Sequence, residues 1–354
     1  MAALPLKGMI LAAGFGTRLK PITDRMPKPL VPFFGAAPLH LALFRLKLAG
    51  ISEIAINSHY MADQIHRSVR PDPFDLDVRI SNESAILGSG GCYAVLRDWI
   101  GNSPIVSLSG DIISDLDVNA VWKTHQQQRA VATMVVTPTH IEGTTPIYCQ
   151  GNRVIGIGGP PDGFTSGTFT VHTFTAMHIL EPRFMDLLPT TGPSSIIDQA
   201  YLLSLARGQT VAAHIHSGFW EDIGTPLSYW RAHERVLQHI GRLSPDQLFG
   251  SLGVLEVLKR QGKELKVFNV SKTVIIGEIK MGTGSRLGPF AVSVGPVEVG
   301  EGSTVSHALL LPGTSIGAHE EVHDELMGQG IQITLGVDDL EEHNPDEDDE
   351  EADV

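Results

Sequence analysis

Cysteine is nearly absent: Cys92 and Cys149 are the only two in 354 residues. Two thiols supply no disulfide framework, so the fold must rest on apolar burial, and 42% hydrophobic content over this length suffices for two or more domains. Apolar runs approaching roughly 18 residues are also missing, which excludes a membrane-spanning helix. The start, MAALPLKGMILAAG, has no charged segment followed by a long apolar stretch and a cleavage site. A reduced, cytoplasmic, soluble protein is expected. Basic excess is lacking too, with 26 Lys and Arg against 40 Asp and Glu, and a nucleic-acid partner has no basic patch to recommend it. The net charge of -14 is uneven along the chain. Residues 338–354 hold eleven acids and no Lys or Arg, and setting those eleven aside takes the balance from -14 to -3. This tail reads as a disordered solubilising segment, with a docking tail as the alternative.

What is present is a glycine turn with two cations directly after a strand. Residues 11–32 read LAAGFGTRLKPITDRMPKPLVP. The apolar run Lys7 to Ala12 has the look of a buried parallel strand, and Gly14 and Gly16 then permit backbone angles closed to other residues. Several N–H groups can face one point in such a turn, forming an anion-holding nest, and Arg18 adds a planar, permanently charged fork. Lys28 supplies a second cation between Pro27 and Pro29, which are expected to hold that segment extended. A Walker A loop and a dinucleotide fingerprint both require glycine where this chain has Leu19. The second strand also ends in Ser58, His59 and Tyr60 rather than in an acidic residue for a ribose.

The segment Leu11 to Pro32 resembles the signature of the sugar-1-phosphate nucleotidyltransferases, or nucleotide-sugar pyrophosphorylases, approximately LAAGxGTRLxPxTxxxPKPLxP. The resemblance weakens beyond the motif and extends to about residue 238. It implies that Leu11, Ala12, Ala13, Gly14, Gly16, Thr17 and Arg18 bind nucleotide, with Arg18 and Lys28 acting in catalysis.

Strands at 52–57, 76–80, 104–108 and 130–136 alternate with helices at 38–49, 61–69 and 90–98. That alternation predicts an α/β, Rossmann-like, mainly parallel sheet with helices on both faces. Thr225-Pro226 and Ser244-Pro245 each read as a helix start, for helices to about His239 and over 245–260. Beyond them Gly, Val and Ile recur at roughly six-residue multiples, as at Ile276-Gly277, Leu287-Gly288, Val294-Gly295, Val299-Gly300 and Ile316-Gly317. This resembles hexapeptide repeats of a short left-handed parallel β-helix of about three coils, antiparallel hairpins being the alternative. The expected domains are catalytic (1–238), helical connector (239–265), β-helix (266–327) and acidic tail (328–354). So few coils bury little alone, so they should pack on the catalytic domain or make a homo-oligomer.

The family's reaction displaces pyrophosphate from an NTP at its α-phosphorus with a sugar-1-phosphate oxygen, which calls for cations and for carboxylates to hold Mg²⁺. Resemblance makes Asp111, at the end of the strand PIVSLSGD, a catalytic Mg²⁺ ligand that also faces the sugar phosphate; capping the next segment is its alternative. Asp222 in WEDIGTP resembles the second metal carboxylate, whereas Glu221 should face the other way. Residues 82–91, NESAILGSGG, resemble the nucleobase-reading segment, where Glu83, Gly88, Gly90 and Gly91 would meet the nucleotide; a plain helix-starting turn is the alternative. Asn57 and Ala176 are sugar-side candidates. His59, His172 and His178 read as core or surface imidazoles, and Asp117 as a helix N-cap rather than part of a DxD metal motif.

Three departures fall on the sugar side. Gly158-Gly159-Pro160 replaces a common Glu-Lys-Pro, Ala176 replaces a usual glycine, and residues 32–39, PFFGAAPL, run one residue long. The pattern is closest to bacterial guanylyl- and uridylyltransferases of cell-envelope polysaccharide synthesis, with GTP or UTP and mannose, heptose or N-acetylmuramate 1-phosphates as substrates. A non-catalytic nucleotide-sugar-binding regulatory paralogue is the alternative, and a glycosyltransferase has no use for the Arg18 loop.

Overall fold

The computed structural model describes residues 4–335, apart from 71–73, 161–162, 164–166 and 329. The chain forms two compact units. One comprises the described residues of Met1–Gly224 and Arg242–Leu265, the other those of Thr225–Gly241 and Lys266–Val354. The expected connector, 239–265, is therefore not a separate element: nearly all of it belongs to the first unit. The helix expected over 245–260 is also divided, into a turn at Asp246–Gly250 and a helix at Val254–Arg260, because Gly253 between them sits at φ 83°.

The first unit is built on strands β1 (Lys7–Leu11), β2 (Glu53–Ser58), β3 (Asp77–Asn82), β4 (Ile105–Ser109), β5 (Ile112–Ser114), β6 (Ala132–Val136), β7 (Pro146–Gln150), β8 (Arg153–Ile157), β9 (Thr170–Leu180), β10 (Val211–Ile215) and β11 (Trp220–Asp222). Among the described residues nine of them form one sheet, in the order β3-β2-β1-β4-β9-β6-β10-β8-β7. The strands β3, β2, β1 and β4 run parallel, as expected, but β9 enters antiparallel between β4 and β6, and β7 and β8 form a hairpin. The sheet is mixed rather than mainly parallel. The physical reason is local: the turn at Gly151 and Asn152 is too short for a crossover helix, so β8 must return beside β7.

Alternation along β1 explains why both faces are covered. Met9 shares a core with Cys92, Tyr93 and Leu96 on one side. On the other, a Cβ at Gly8 would lie 2.7 Å from the end of the Leu46 side chain of the helix Pro38–Leu48, which packs against the glycine. The expected helix over 90–98 begins at Gly88 and breaks at Leu96, giving Gly88–Val95 and Arg97–Ile100. The extra residue in PFFGAAPL forms a tight turn, with Phe34 and Gly35 at φ 45° and 77° and reciprocal hydrogen bonds between Phe33 and Ala36. It buries Phe33 and Phe34, the latter edge-on to Phe249 at 5.0 Å.

In the second unit, the helix Pro226–Leu237 starts from a reciprocal Thr225/Ser228 cap, as the Thr-Pro pair predicts. The strands from Thr273 to Gly328 pair in parallel with partners one repeat on: Val274 beside Val292, Ile279 beside Val297, Arg286 beside Thr304, and Thr304 beside Glu321. Val297, Val299, Val305, Ala308, Leu310, Ile316 and Val322 form its interior. Glycines mark the tight corners, since a Cβ at Gly295 would fall 2.1 Å from the Glu278 carbonyl. The strand Ile331–Thr334 pairs antiparallel with Glu321–Gly328, so the region expected as tail from 328 begins with ordered structure. The acidic residues 338–354 lie outside the described residues.

Candidate active site

Because β1 to β4 are parallel, their carboxyl ends share one edge, and the Leu11–Pro32 segment leaves from that edge. The Ala12 amide donates to Asn57 Oδ1 (2.8 Å), and Gly110 N donates to the Leu11 carbonyl (2.8 Å). The chain then turns at Gly16, φ 66°, into the short helical turn Thr17–Leu19. Thr23 Oγ1 donates to the Gly16 carbonyl (2.8 Å), and Tyr60 Oη donates to the Thr23 carbonyl (2.8 Å), so the turn that follows β2 braces the loop. None of the described hydrogen bonds is donated by the amides of Gly14, Phe15, Gly16 or Thr17. Arg18 is exposed beside them. An exposed run of amides with a guanidinium alongside is suited to an anion.

Lys28 lies at the centre of the edge. The extended segment expected between Pro27 and Pro29 is not found: after an extended Pro27 the chain coils into the turn Lys28–Leu30, where the lysine is buried. Lys28 Nζ sits 2.7 Å from Asp111 Oδ2 and 2.9 Å from Asp222 Oδ1. Asp111 emerges just past the end of β4, while β11 pairs antiparallel with β5 and places Asp222 level with Ile112. Ser109 Oγ donates to the other Asp111 oxygen. Sequence reasoning missed Ser109, although a serine two residues before an aspartate at a strand end shares its face. Burial works against both charges, but Lys28 and the Ser109 hydroxyl hold the Asp111 carboxyl below its usual range. The two carboxylates likewise keep the Lys28 ammonium above its usual value despite burial. Two aspartates and one lysine leave a net charge of -1. The aspartate side chains are 26% and 40% exposed, so they retain an open side. Two hard oxygen donors with a residual negative charge and room for water or phosphate fit Mg²⁺, and Asp111 and Asp222 are the residues that would hold it.

Other expected site residues are committed within the protein. Asn57 Nδ2 donates to Glu83 Oε1 (2.8 Å), and Glu83 Oε2 accepts from Leu87 N (3.1 Å). With Asn57 Oδ1 on Ala12, this pair ties the start of the loop to the start of the next helix. Gly88, Gly90 and Gly91 do meet a close neighbour, but it is the chain at 192–194: a Cβ on them would lie 2.7 Å from Ser194 O, 2.6 Å from Ser194 Oγ and 2.7 Å from Gly192 O. Ser194 O accepts from Gly90 N, and no local pattern announced it. Ala176 sits at φ 59°, a left-handed angle that favours glycine, in the part of β9 where its register with β6 shifts. Asp117 caps its helix by accepting from Asn119 N (2.9 Å). His172 and His178 are buried, and His59 Nδ1 is 2.9 Å from the Glu83 carbonyl.

A braced anion loop beside a lysine shared by two carboxylates, at the carboxyl edge of a mixed sheet, belongs to a protein that handles phosphate esters. The Nucleotidyl transferase family model matches residues 7–239. The chain belongs to this family and is an enzyme of the nucleotidyltransferase type. It is 28% identical to the mannose-1-phosphate guanylyltransferase catalytic subunit beta of Danio rerio over 257 residues, 71% of this chain and 70% of that protein. It is 26% identical to the glucose-1-phosphate thymidylyltransferase of Streptomyces griseus over 338 residues, 93% of this chain and 94% of the other. The crystal structure of HddC from Yersinia pseudotuberculosis complexed with GMP-PN shares the fold, with a TM-score of 0.54 and 23% identity over 65% of this chain and 99% of that one. Among the described residues no helix is long and apolar enough to cross a membrane.

Proposed function

We propose that the protein is a sugar-1-phosphate nucleotidyltransferase that joins an NTP, GTP or UTP in preference, to a sugar-1-phosphate of the mannose, heptose or N-acetylmuramate type. The observation that carries this reading is Lys28 held between Asp111 and Asp222 next to the Arg18 loop. A sugar phosphate oxygen forms the new bond to the α-phosphorus as the bond to the bridging oxygen breaks and pyrophosphate leaves. No general base is required, since a phosphate monoester is largely dianionic near neutral pH. The loop amides and Arg18 hold the departing phosphates, and Lys28, kept charged by its two partners, neutralises the reacting phosphoryl oxygens. Asp111 and Asp222 would hold Mg²⁺, which when bound would supply further charge neutralisation and alignment. The mannose-1-phosphate guanylyltransferase relatives support GTP and a mannose-type sugar, while the absent Glu-Lys-Pro favours the heptose or N-acetylmuramate types among the three.

The parallel pairings of the second unit support a short left-handed β-helix, and we assign to it a homo-oligomer contact. The buried free thiols Cys92 and Cys149, the latter pushed by burial up to about 12, fit a reducing cytoplasm. A regulatory paralogue would have no reason to keep Arg18, Lys28, Asp111 and Asp222 together. Incubation with Mg²⁺, each common NTP and a panel of sugar-1-phosphates should release pyrophosphate with one preferred pair. Release with none would move the reading to the regulatory protein.

A further inference from the structure

We propose that His307, His323 and Asp324, in the second unit, form a binding site for one divalent transition-metal ion of the zinc class. The repeat brings them together. Ala291 is level with Ala308 and Ala308 with Glu325, so Phe290, His307 and Asp324 occupy successive equivalent positions, each a left-handed corner with φ of 52°, 48° and 53°. His323 stands one position earlier, level with Ser306.

The donor atoms face one another. His323 Nε2 is 3.2 Å from Asp324 Oδ2, and His307 Nδ1 is 3.6 Å from Asp324 Oδ1. One donor from each of the three residues falls within 4.8 Å of the others. Tetrahedral zinc with bonds of about 2.0–2.1 Å separates its ligand atoms by roughly 3.3 Å, and each imidazole lies close to that distance from one of the two carboxylate oxygens. The support is also present. Ser306 Oγ lies 2.8 Å from His323 Nδ1, which fixes that ring with Nε2 toward the carboxylate. Phe290 packs edge-on against His307 at 5.0 Å, and the two imidazoles stack at 5.2 Å. Two imidazoles and one carboxylate select zinc, cobalt or nickel over magnesium or calcium, which prefer all-oxygen shells. All three side chains remain part-exposed, leaving a fourth position for water or a small ligand. The site lies in a different unit from Asp111 and Asp222, and its ligand chemistry is different.

The test uses the full chain, stripped of metal with a chelator and titrated with Co²⁺ in excess Mg²⁺, which competes for the oxygen-only carboxylates. One equivalent of Co²⁺ should produce the visible absorption of a four-coordinate nitrogen and oxygen site, and Zn²⁺ should abolish it. His323→Ala and Asp324→Asn should each weaken the binding at least tenfold, while Asp111→Asn leaves it intact. Zn²⁺ should raise the unfolding temperature of the wild type and not of His323→Ala. Absence of the absorption, or full binding retained in both His323→Ala and Asp324→Asn, overturns the proposal.

Discussion

Stability should fall on mild acidification because of one buried imidazole. His178, 3% exposed, lies between two tyrosines, with Nε2 3.0 Å from Tyr93 Oη and Nδ1 2.9 Å from Tyr201 Oη. Tyr93 donates its own proton to Ser107 Oγ (2.8 Å), so its oxygen accepts from His178 Nε2–H, and His178 Nδ1 accepts from Tyr201. Every group in this chain is satisfied only if the imidazole is neutral, and burial lowers its pKa from 6.5 to about 3. The unfolded chain therefore takes up a proton below pH 6.5 that the folded chain refuses. The contribution of the neutral imidazole is complete above the unfolded value and is lost as pH falls toward the folded one, at about 1.4 kcal/mol per unit. By about pH 4.5 the loss reaches about 3 kcal/mol, a large part of a typical stability of roughly 5–15 kcal/mol. His178→Gln offers one donor and one acceptor of similar reach and does not titrate. Urea unfolding of both proteins between about pH 7 and 4.5 isolates the effect, because carboxylates common to both cancel. The wild type should lose about 3 kcal/mol more than the variant. Parallel stability curves for the two proteins would refute the reasoning.

Three further predictions concern the catalytic edge and its supports. Asp222→Asn should lower pyrophosphate release at least about 100-fold, as should removal of divalent cations by EDTA; activity within threefold of wild type in either case would remove the metal carboxylates from the mechanism. Gly88→Ala combines a left-handed φ of 69° with a contact of 2.7 Å to the Ser194 carbonyl, and should cost about 2–3 kcal/mol in urea unfolding; an unchanged midpoint would show that the 192–194 chain yields. Ala176→Gly relieves the φ of 59° and should be neutral to about 1 kcal/mol stabilising, with a loss above about 1 kcal/mol counting against the strain.

The placement of the loop and Asp111 at one sheet edge was legible because it depends on local sequence. Glycines, an arginine and a flanked lysine follow a strand within a few residues, and a Gly-Asp at a strand end needs only the parallel order to reach the same edge. What was not legible depended on partners distant in sequence. Asn57 and Glu83 stood as sugar- and nucleotide-side candidates, and they meet each other at the ends of adjacent strands, with Glu83 also accepting from the helix-starting turn that was its alternative. Gly88, Gly90 and Gly91 signalled a close approach, but the sequence carries no mark that the approaching chain is 192–194. The long strand β9 runs antiparallel to both β4 and β6, and apolar content does not encode direction.

The lysine that joins the two carboxylates spans 194 positions of sequence to reach Asp222. This separation has a consequence during synthesis. A nascent chain that has extended past Asp111 holds the glycine loop, Lys28 and one carboxylate, but not Asp222, the lysine's second partner. At roughly 5–20 residues per second the gap between the two aspartates lasts many seconds. Truncated or stalled products ending before β11 therefore lack the carboxylate that closes the Lys28 bridge.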